Sequence, residues 1–193
     1  MADGATVILD WTKISDDWRC LYEPCLSEDL AEVARRAGYV HTHHPGVQYL
    51  IYVALLEYVT PDLDQDGDGR VDPEKAGASL AIQHPDWLQI GISGRRAVFY
   101  GTQPGMPFWV CPSCEDAWVT PAHLEFRKLA LRQARELART GIDGIWLDVP
   151  FLRHSFGEGW RDEWPDVGPH ARELFRERSD VASVRELALS THP

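Results

Sequence analysis

The stretch "GIDGIWLDVPF", residues 141–151, holds a short apolar run, Ile145 to Leu147, between two glycines and the group Asp148, Val149 and Pro150. The run is too short for a helix and apolar on both faces. That is the pattern of a strand in a parallel sheet covered on both sides. Pro150 has no N–H to give a ladder, so the strand stops just past Asp148. Asp148 is then a carboxylate at the C-terminal end of a parallel strand, where βα folds carry their functional groups.

Two other segments repeat the arrangement. "ATVILDW" (5–11) reads as a first strand ending in Asp10 and Trp11, and "VQYLIYVALLEYV" (47–59) as a second with Glu57 near its end. Between them Ser27 caps a helix over "EDLAEVARRAG", with Leu30, Val33, Ala34 and Ala37 on one face and Gly38 as its stop; "YVHTHHPG" is a loop. "HPDWLQIGISGRRAVFYG" (84–101) gives strand-like pieces around a turn at Ser93–Gly94, and "PFWVCP" (107–112) a short strand. Thr120 and Pro121 open a helix over about 121–140, with an apolar stripe of Phe126, Leu129, Ala130, Ala134 and Leu137. Arg127, Lys128, Arg132, Arg135 and Glu136 face water. A helix over 169–178 and a helical piece "DVASVRELALS" close the chain. Alternating strands and helices predict a single α/β domain on a parallel sheet, with an acidic loop insertion at about 60–83.

The chain has 193 residues and a net charge of −11, from 30 acids and 19 bases. Clustered Lys and Arg are needed to hold a phosphate backbone, so no nucleic acid partner is expected. No apolar run approaches the roughly 18 residues of a membrane helix. The N-terminus lacks the pattern of a signal peptide, so a soluble protein is expected and its location is left open. Eight tryptophans are many for this length, and indoles stack well on sugar rings. Cys20, Cys25, Cys111 and Cys114 could be disulfides, buried thiols or a four-thiolate zinc site. The long gap between the two pairs weighs against zinc.

"DLDQDGDGRVD" matches the Ca²⁺ loop D-x-D-x-D-G: Asp64, Asp66 and Asp68 fall at positions 1, 3 and 5, Gly69 at 6, Arg70 at 7 and Asp72 at 9. Position 12, usually a bidentate Glu, is Lys75. Bound Ca²⁺ would hold a long loop in place rather than do chemistry; the other reading is a solvated acidic loop. His41, His43 and His44 read as surface residues.

"HPDWLQ", "FWVCP", the Leu/Arg/Glu-rich helix and "GIDGIWLDVPF" together resemble the glycoside-hydrolase-like (β/α)8 barrels. Within them the chain is most similar to uncharacterised glycosyl hydrolases related to α-L-fucosidases and to trimerisation-domain β-galactosidases. The resemblance spans roughly residues 26–178. It implies a TIM-barrel-like sheet of about four βα units, half of a full barrel, with Asp148 ending the fourth strand at the nucleophile position of retaining α-fucosidases. It places His84 and Trp87 in a loop over a sugar pocket, and Cys111 and Pro112 at the end of the third strand. A retaining glycosidase needs an ionised carboxylate to attack the anomeric carbon and a second carboxyl as acid/base. Trp11, Trp87, Trp146 and Trp160 would supply stacking surface, and Asp10, Glu57 and His84 would bind hydroxyls. Glu158, Asp162 and Glu163, in the loop after Asp148, could stand in for the second carboxyl, but read more readily as a solvated loop face. The second reading is a non-catalytic, Ca²⁺-stabilised carbohydrate-binding or assembly module, or a truncated, inactive barrel. A homo-oligomer or a missing C-terminal half would then complete the sheet.

Overall fold

The computed structural model describes residues 4, 6–101, 111–153 and 163–178. Strands β1 (Val7–Asp10), β2 (Gln48–Ala54) and β6 (Gly144–Asp148) form a parallel sheet in the order β1-β2-β6. Asp10 stands in register with Ile51, Ile51 with Ile145, and Ala54 with Asp148. Helices α1 (Cys25–His43) and α3 (Leu124–Leu137) cover one face of this sheet. There Leu26, Val33, Ala37 and Val40 of α1 and Leu137 of α3 bury Tyr49, Ile51 and Val53. Among the described residues no helix covers the opposite face, and Leu9 and Trp146 on it are about half exposed.

The second apolar run is two strands, not one. β2 ends at Ala54, and β3 (Glu57–Thr60) joins a separate antiparallel sheet, β3-β5-β4, with β5 at Glu115–Trp118 and β4 at Val98–Tyr100. The chain changes partners at Leu55 and Leu56: the Leu55 N–H donates to the Asp148 carbonyl, and the Leu56 carbonyl accepts from Val119 N–H. A continuous apolar pattern carries no mark of such a switch, because the residues on either side of it, Val53, Ala54, Leu55 and Leu56, are all apolar. This antiparallel sheet grows from the C-terminal end of β2 and is unlike the wall of a barrel. Asp148 accordingly ends the third parallel strand, not a fourth.

Other boundaries moved for identifiable reasons. Helix α1 runs through Gly38 to His43, because Val40 packs in the core and outweighs the modest helix cost of a glycine. Helix α3 starts at Leu124, where the His123 side chain, rather than Thr120, caps it by accepting from Phe126 N–H. Gln133 is buried in place of the expected Ala134, and Arg132 donates to the Leu21 carbonyl instead of facing water. Cys111 and Pro112 lie in a turn ahead of β5. Residues 107–110, Glu158, Trp160, Asp162 and the final helical piece lie outside the described residues. The cysteines form two disulfides, Cys20–Cys25 and Cys111–Cys114, so zinc has no thiolates to bind. Helix α4 spans Pro169–Arg178 as expected. No helix among the described residues is long and apolar enough to cross a membrane.

The outer face of the antiparallel sheet makes a second core. Tyr58, Ala117 and Val119 pack there with Leu80, Trp87, Phe126 and Leu129. Glu115 anchors this layer. Fully buried, it accepts from Ser79 Oγ at 2.6 Å and Leu80 N–H at 2.8 Å, at the start of the short helix α2 (Leu80–Gln83). Burial raises the Glu115 pKa, and the donors from Ser79, Ala81, Leu80 and Tyr100 oppose that rise. Replacing Glu115 by Ala leaves these buried donors without an acceptor. We expect a loss of about 3 kcal/mol in urea unfolding; a loss under about 1 kcal/mol would show that water replaces the carboxylate.

Candidate carboxylate site at the strand ends

Side chains alternate along a strand, so Tyr52, Ala54, Trp146 and Asp148 share the helix-free face. Tyr52 Oη donates to Asp148 Oδ2 at 2.5 Å. Burial, followed by the adjacent Asp148 carboxylate, holds the Tyr52 phenol protonated far above its ordinary range. Asp148 Oδ1 accepts from the Val149 N–H at 2.8 Å. Val149 has φ +45°, a left-handed conformation that a β-branched residue seldom adopts. It is held by burial in one cluster with Ala54, Phe99 and Trp118. Backbone strain of this kind gathers at functional sites, and here it turns the chain sharply past the carboxylate.

Trp11 stacks on Tyr52 with ring centres 4.2 Å apart and planes 14° from parallel. Its indole N–H donates to Asp16 Oδ1 at 3.3 Å. Tyr52 is in register with Trp146. Trp11, Tyr52 and Trp146 thus form an aromatic row across the helix-free face, with the two indoles 54% and 55% exposed. A groove of about 350 Å³ opens beside Trp11, lined also by Asp16, Asp17 and Thr60. Burial pushes the Asp16 pKa up to about 6, with the Asp17 and Glu57 charges adding and the Trp11 hydrogen bond opposing.

The inner face of the antiparallel sheet closes one side of the site. Glu57 pairs with Trp118 and Val59 with Asp116 across β3 and β5, and Phe99 pairs with Asp116 across β4 and β5. Glu57, Asp116, Trp118 and Phe99 therefore point one way, and Phe99 and Trp118 pack with Ala54, Tyr52 and Val149. Glu57 and Asp116 are both buried. Burial raises the Asp116 pKa to about 6; the Arg153 charge, the Trp118 indole and the Glu57 side chain pull it down, and the Glu115 charge pushes it up. Arg153 Nη1 lies 3.7 Å from Asp116 Oδ2. Its guanidinium covers the rings of Trp118 and Phe99 at 4.8 and 5.0 Å from their centres. The Arg153 N–H donates to the buried Gln89 side chain at 2.9 Å, which fixes the segment after Asp148.

The site thus brings together Asp148, Tyr52, Trp11, Trp146, Glu57 and Asp116, with Arg153 as a nearby cation. Its acids repel phosphate and suit a neutral or cationic ligand. Asp148, partly exposed, and Asp16, whose pKa is raised beside the open groove, can divide attack and proton transfer between different groups, as acid/base chemistry requires.

Other expected residues lie elsewhere. Asp10 faces the helix side, where it accepts from Tyr49 Oη and from Arg36 Nη1 at 2.9 Å. Burial would raise its pKa, but the bonds from Tyr49, Arg36 and Trp11 N–H outweigh that and lower it. His84 and Trp87 stack on each other at 4.0 Å within the outer core, on the other face of the antiparallel sheet from Glu57. Trp87 is 2% exposed and has no face to offer a sugar. Glu163 is also buried, accepting from Ser93 Oγ and N–H, so it braces a loop rather than facing solvent. His41 pairs with Asp143 at 2.8 Å and His43 stacks on Tyr39.

Sequence reading missed Tyr52, Asp16, Asp116 and Arg153. Asp116 alone carried a signal, as it stands with Glu115 in the strand-length segment "CEDAWV" of otherwise apolar residues. No family model and no solved structure matches this chain. It is similar to the isoleucine–tRNA ligase of Sulfolobus acidocaldarius, 30% identical over 107 residues, which cover 44% of this chain and 9% of that protein. The chain spans less than a tenth of the length of that relative, and the match assigns neither a family nor an activity.

Proposed function

We propose that the chain is a glycoside-hydrolase-like module whose three parallel βα units form part of a TIM-barrel wall. Asp148 attacks the anomeric carbon, and Asp16, half-buried in the groove beside Trp11 with its pKa raised to about 6, protonates the leaving oxygen. The observation that carries this reading is the aromatic row Trp11–Tyr52–Trp146 on the face and at the strand ends where Asp148 stands. Exposed indoles beside a hydrogen-bonded carboxylate suit a pyranose ring, whose apolar face stacks while its hydroxyls meet acceptors. The helix-free face, with Leu9, Leu50 and Trp146, fits the inward face of a barrel strand, which is normally apolar.

The test is a panel of oligosaccharides and aryl glycosides offered to the purified chain. Trp11→Ala and Trp146→Ala are each expected to weaken oligosaccharide binding in calorimetry by about tenfold, from the loss of one stacked ring. Unchanged affinity in both variants would remove the platform from the binding site. Oligosaccharide binding without turnover of any aryl glycoside would favour the non-catalytic carbohydrate-binding module.

A further inference from the structure

Three groups of metal-capable side chains meet among the described residues. In the first, Asp17, Cys20 and Cys25, the cysteines are bonded to each other. In the second, Asp86, His123 and His170, the His123 Nδ1 accepts from Phe126 N–H at 3.3 Å. Nε2 therefore carries the proton and meets Asp86 Oδ2 at 3.0 Å. A ring engaged at both nitrogens has no lone pair left for a metal.

The third group is Asp64, Asp66 and Asp68, with ligand oxygens within 4.8 Å of one another. Asp64 is 1% exposed. Its Oδ2 accepts from Gly69 N–H at 2.9 Å, and its Oδ1 is buried with no hydrogen-bond partner. A carboxylate oxygen cut off from water and from donors is costly, and a cation removes that cost. Asp66 and Asp68 each give one oxygen to a backbone N–H and keep the other.

We propose that Asp64, Asp66 and Asp68 bind a Ca²⁺ ion, and that this site is energetically linked to the Cys111–Cys114 disulfide through the Ser113 carbonyl. That carbonyl accepts from Leu63 N–H at 2.8 Å and from Asp64 N–H at 3.1 Å. Ser113 lies inside the disulfide turn, and Glu115, two residues on, begins β5. The ion and the disulfide thus order the same few residues, so each favours the other by the same factor. Oxygen ligands on an exposed loop fit Ca²⁺ better than Mg²⁺, which demands a rigid octahedron. Lys75 in place of a bidentate Glu points to a Kd of about 10⁻⁴–10⁻³ M.

Calorimetry and thermal melts of the full chain test both parts. In 10 mM CaCl₂ against EDTA, Tm is expected to rise by about 3–10 °C, and by less in MgCl₂. Asp64→Asn and the exposed Asp68→Asn should each weaken Ca²⁺ binding at least tenfold. Asp68→Asn disturbs no buried group, so it reads the site even where Asp64→Asn unfolds. Cys111→Ser/Cys114→Ser should weaken Ca²⁺ at least threefold, and Cys20→Ser/Cys25→Ser should leave it unchanged. No heat and no Tm change at 10 mM Ca²⁺ would overturn the site. An equal shift with Mg²⁺ would overturn the choice of ion. Full affinity without the 111–114 disulfide would overturn the linkage.

Discussion

Asp148→Asn is expected to lower kcat/KM on activated aryl glycosides by about 10³-fold or more, with Tm changed by no more than a few degrees. The asparagine keeps the volume and, with its single oxygen, one of the two hydrogen bonds that Asp148 accepts from Tyr52 Oη and Val149 N–H, so most of the local frame survives while the attacking charge is lost. In Asp148→Gly, added azide or formate should restore part of the rate, since a small anion can occupy the space the carboxylate leaves. A merely structural role for Asp148 would show no such rescue. Tyr52→Phe should cost less, because it removes a hydrogen bond and leaves the carboxylate. If Asp148→Asn hydrolyses the same substrates at the wild-type rate, Asp148 is not the nucleophile.

The second large effect concerns stability. Arg153 offsets the charge on Asp116, whose side chain has no exposed surface. Removing one partner of a buried pair typically costs about 3–5 kcal/mol. We expect Arg153→Met to destabilise the fold by about 3 kcal/mol at pH 8. The pH dependence follows from burial, which lifts the Asp116 pKa to about 6 from an ordinary 3.8. A carboxyl with a raised native pKa favours folding most below its unfolded pKa, and that advantage is lost as pH rises through the native value. Without Arg153 the native pKa moves higher still. The Arg153→Met penalty should therefore stay small from pH 4 to about pH 6 and grow from there toward pH 8, where only the wild-type Asp116 has ionised. Adding Asp116→Asn should flatten the profile and recover much of the loss. Urea unfolding at several pH values measures this. A penalty constant from pH 4 to pH 8 would mean that Arg153 acts through its packing on Phe99 and Trp118 instead.

Some of the site was readable along the chain. Asp148 could be placed at a strand end because "GIWLD" has the length and two-sided apolarity of a parallel strand, and Pro150 marks its limit. Trp11 and Trp146 were readable as stacking candidates from their closeness to strand ends. Asp10 misled for a simple reason. An acid at a strand end can lie on either face, and one step of register puts it against α1 and Arg36 instead of at the open rim. His84 and Trp87 misled likewise, since a loop motif gives no clue to which side of a sheet it packs against.

What sequence alone determined is local: the parallel strands, the two long helices with their apolar stripes, and the acidic loop with its spacing of alternate aspartates. These depend on periodicity and turn chemistry, which act over a few residues. Tertiary structure alone decided that the 47–59 run divides between two sheets. It also decided that an antiparallel insertion carries Glu57 and Asp116 to the rim, and that Arg153 comes back to meet them. Those contacts join residues far apart in the chain, Asp116 to Arg153 and Tyr52 to Asp148 among them. They are selected by what must be buried together and by which charge must be offset, and no window of neighbouring residues holds that information.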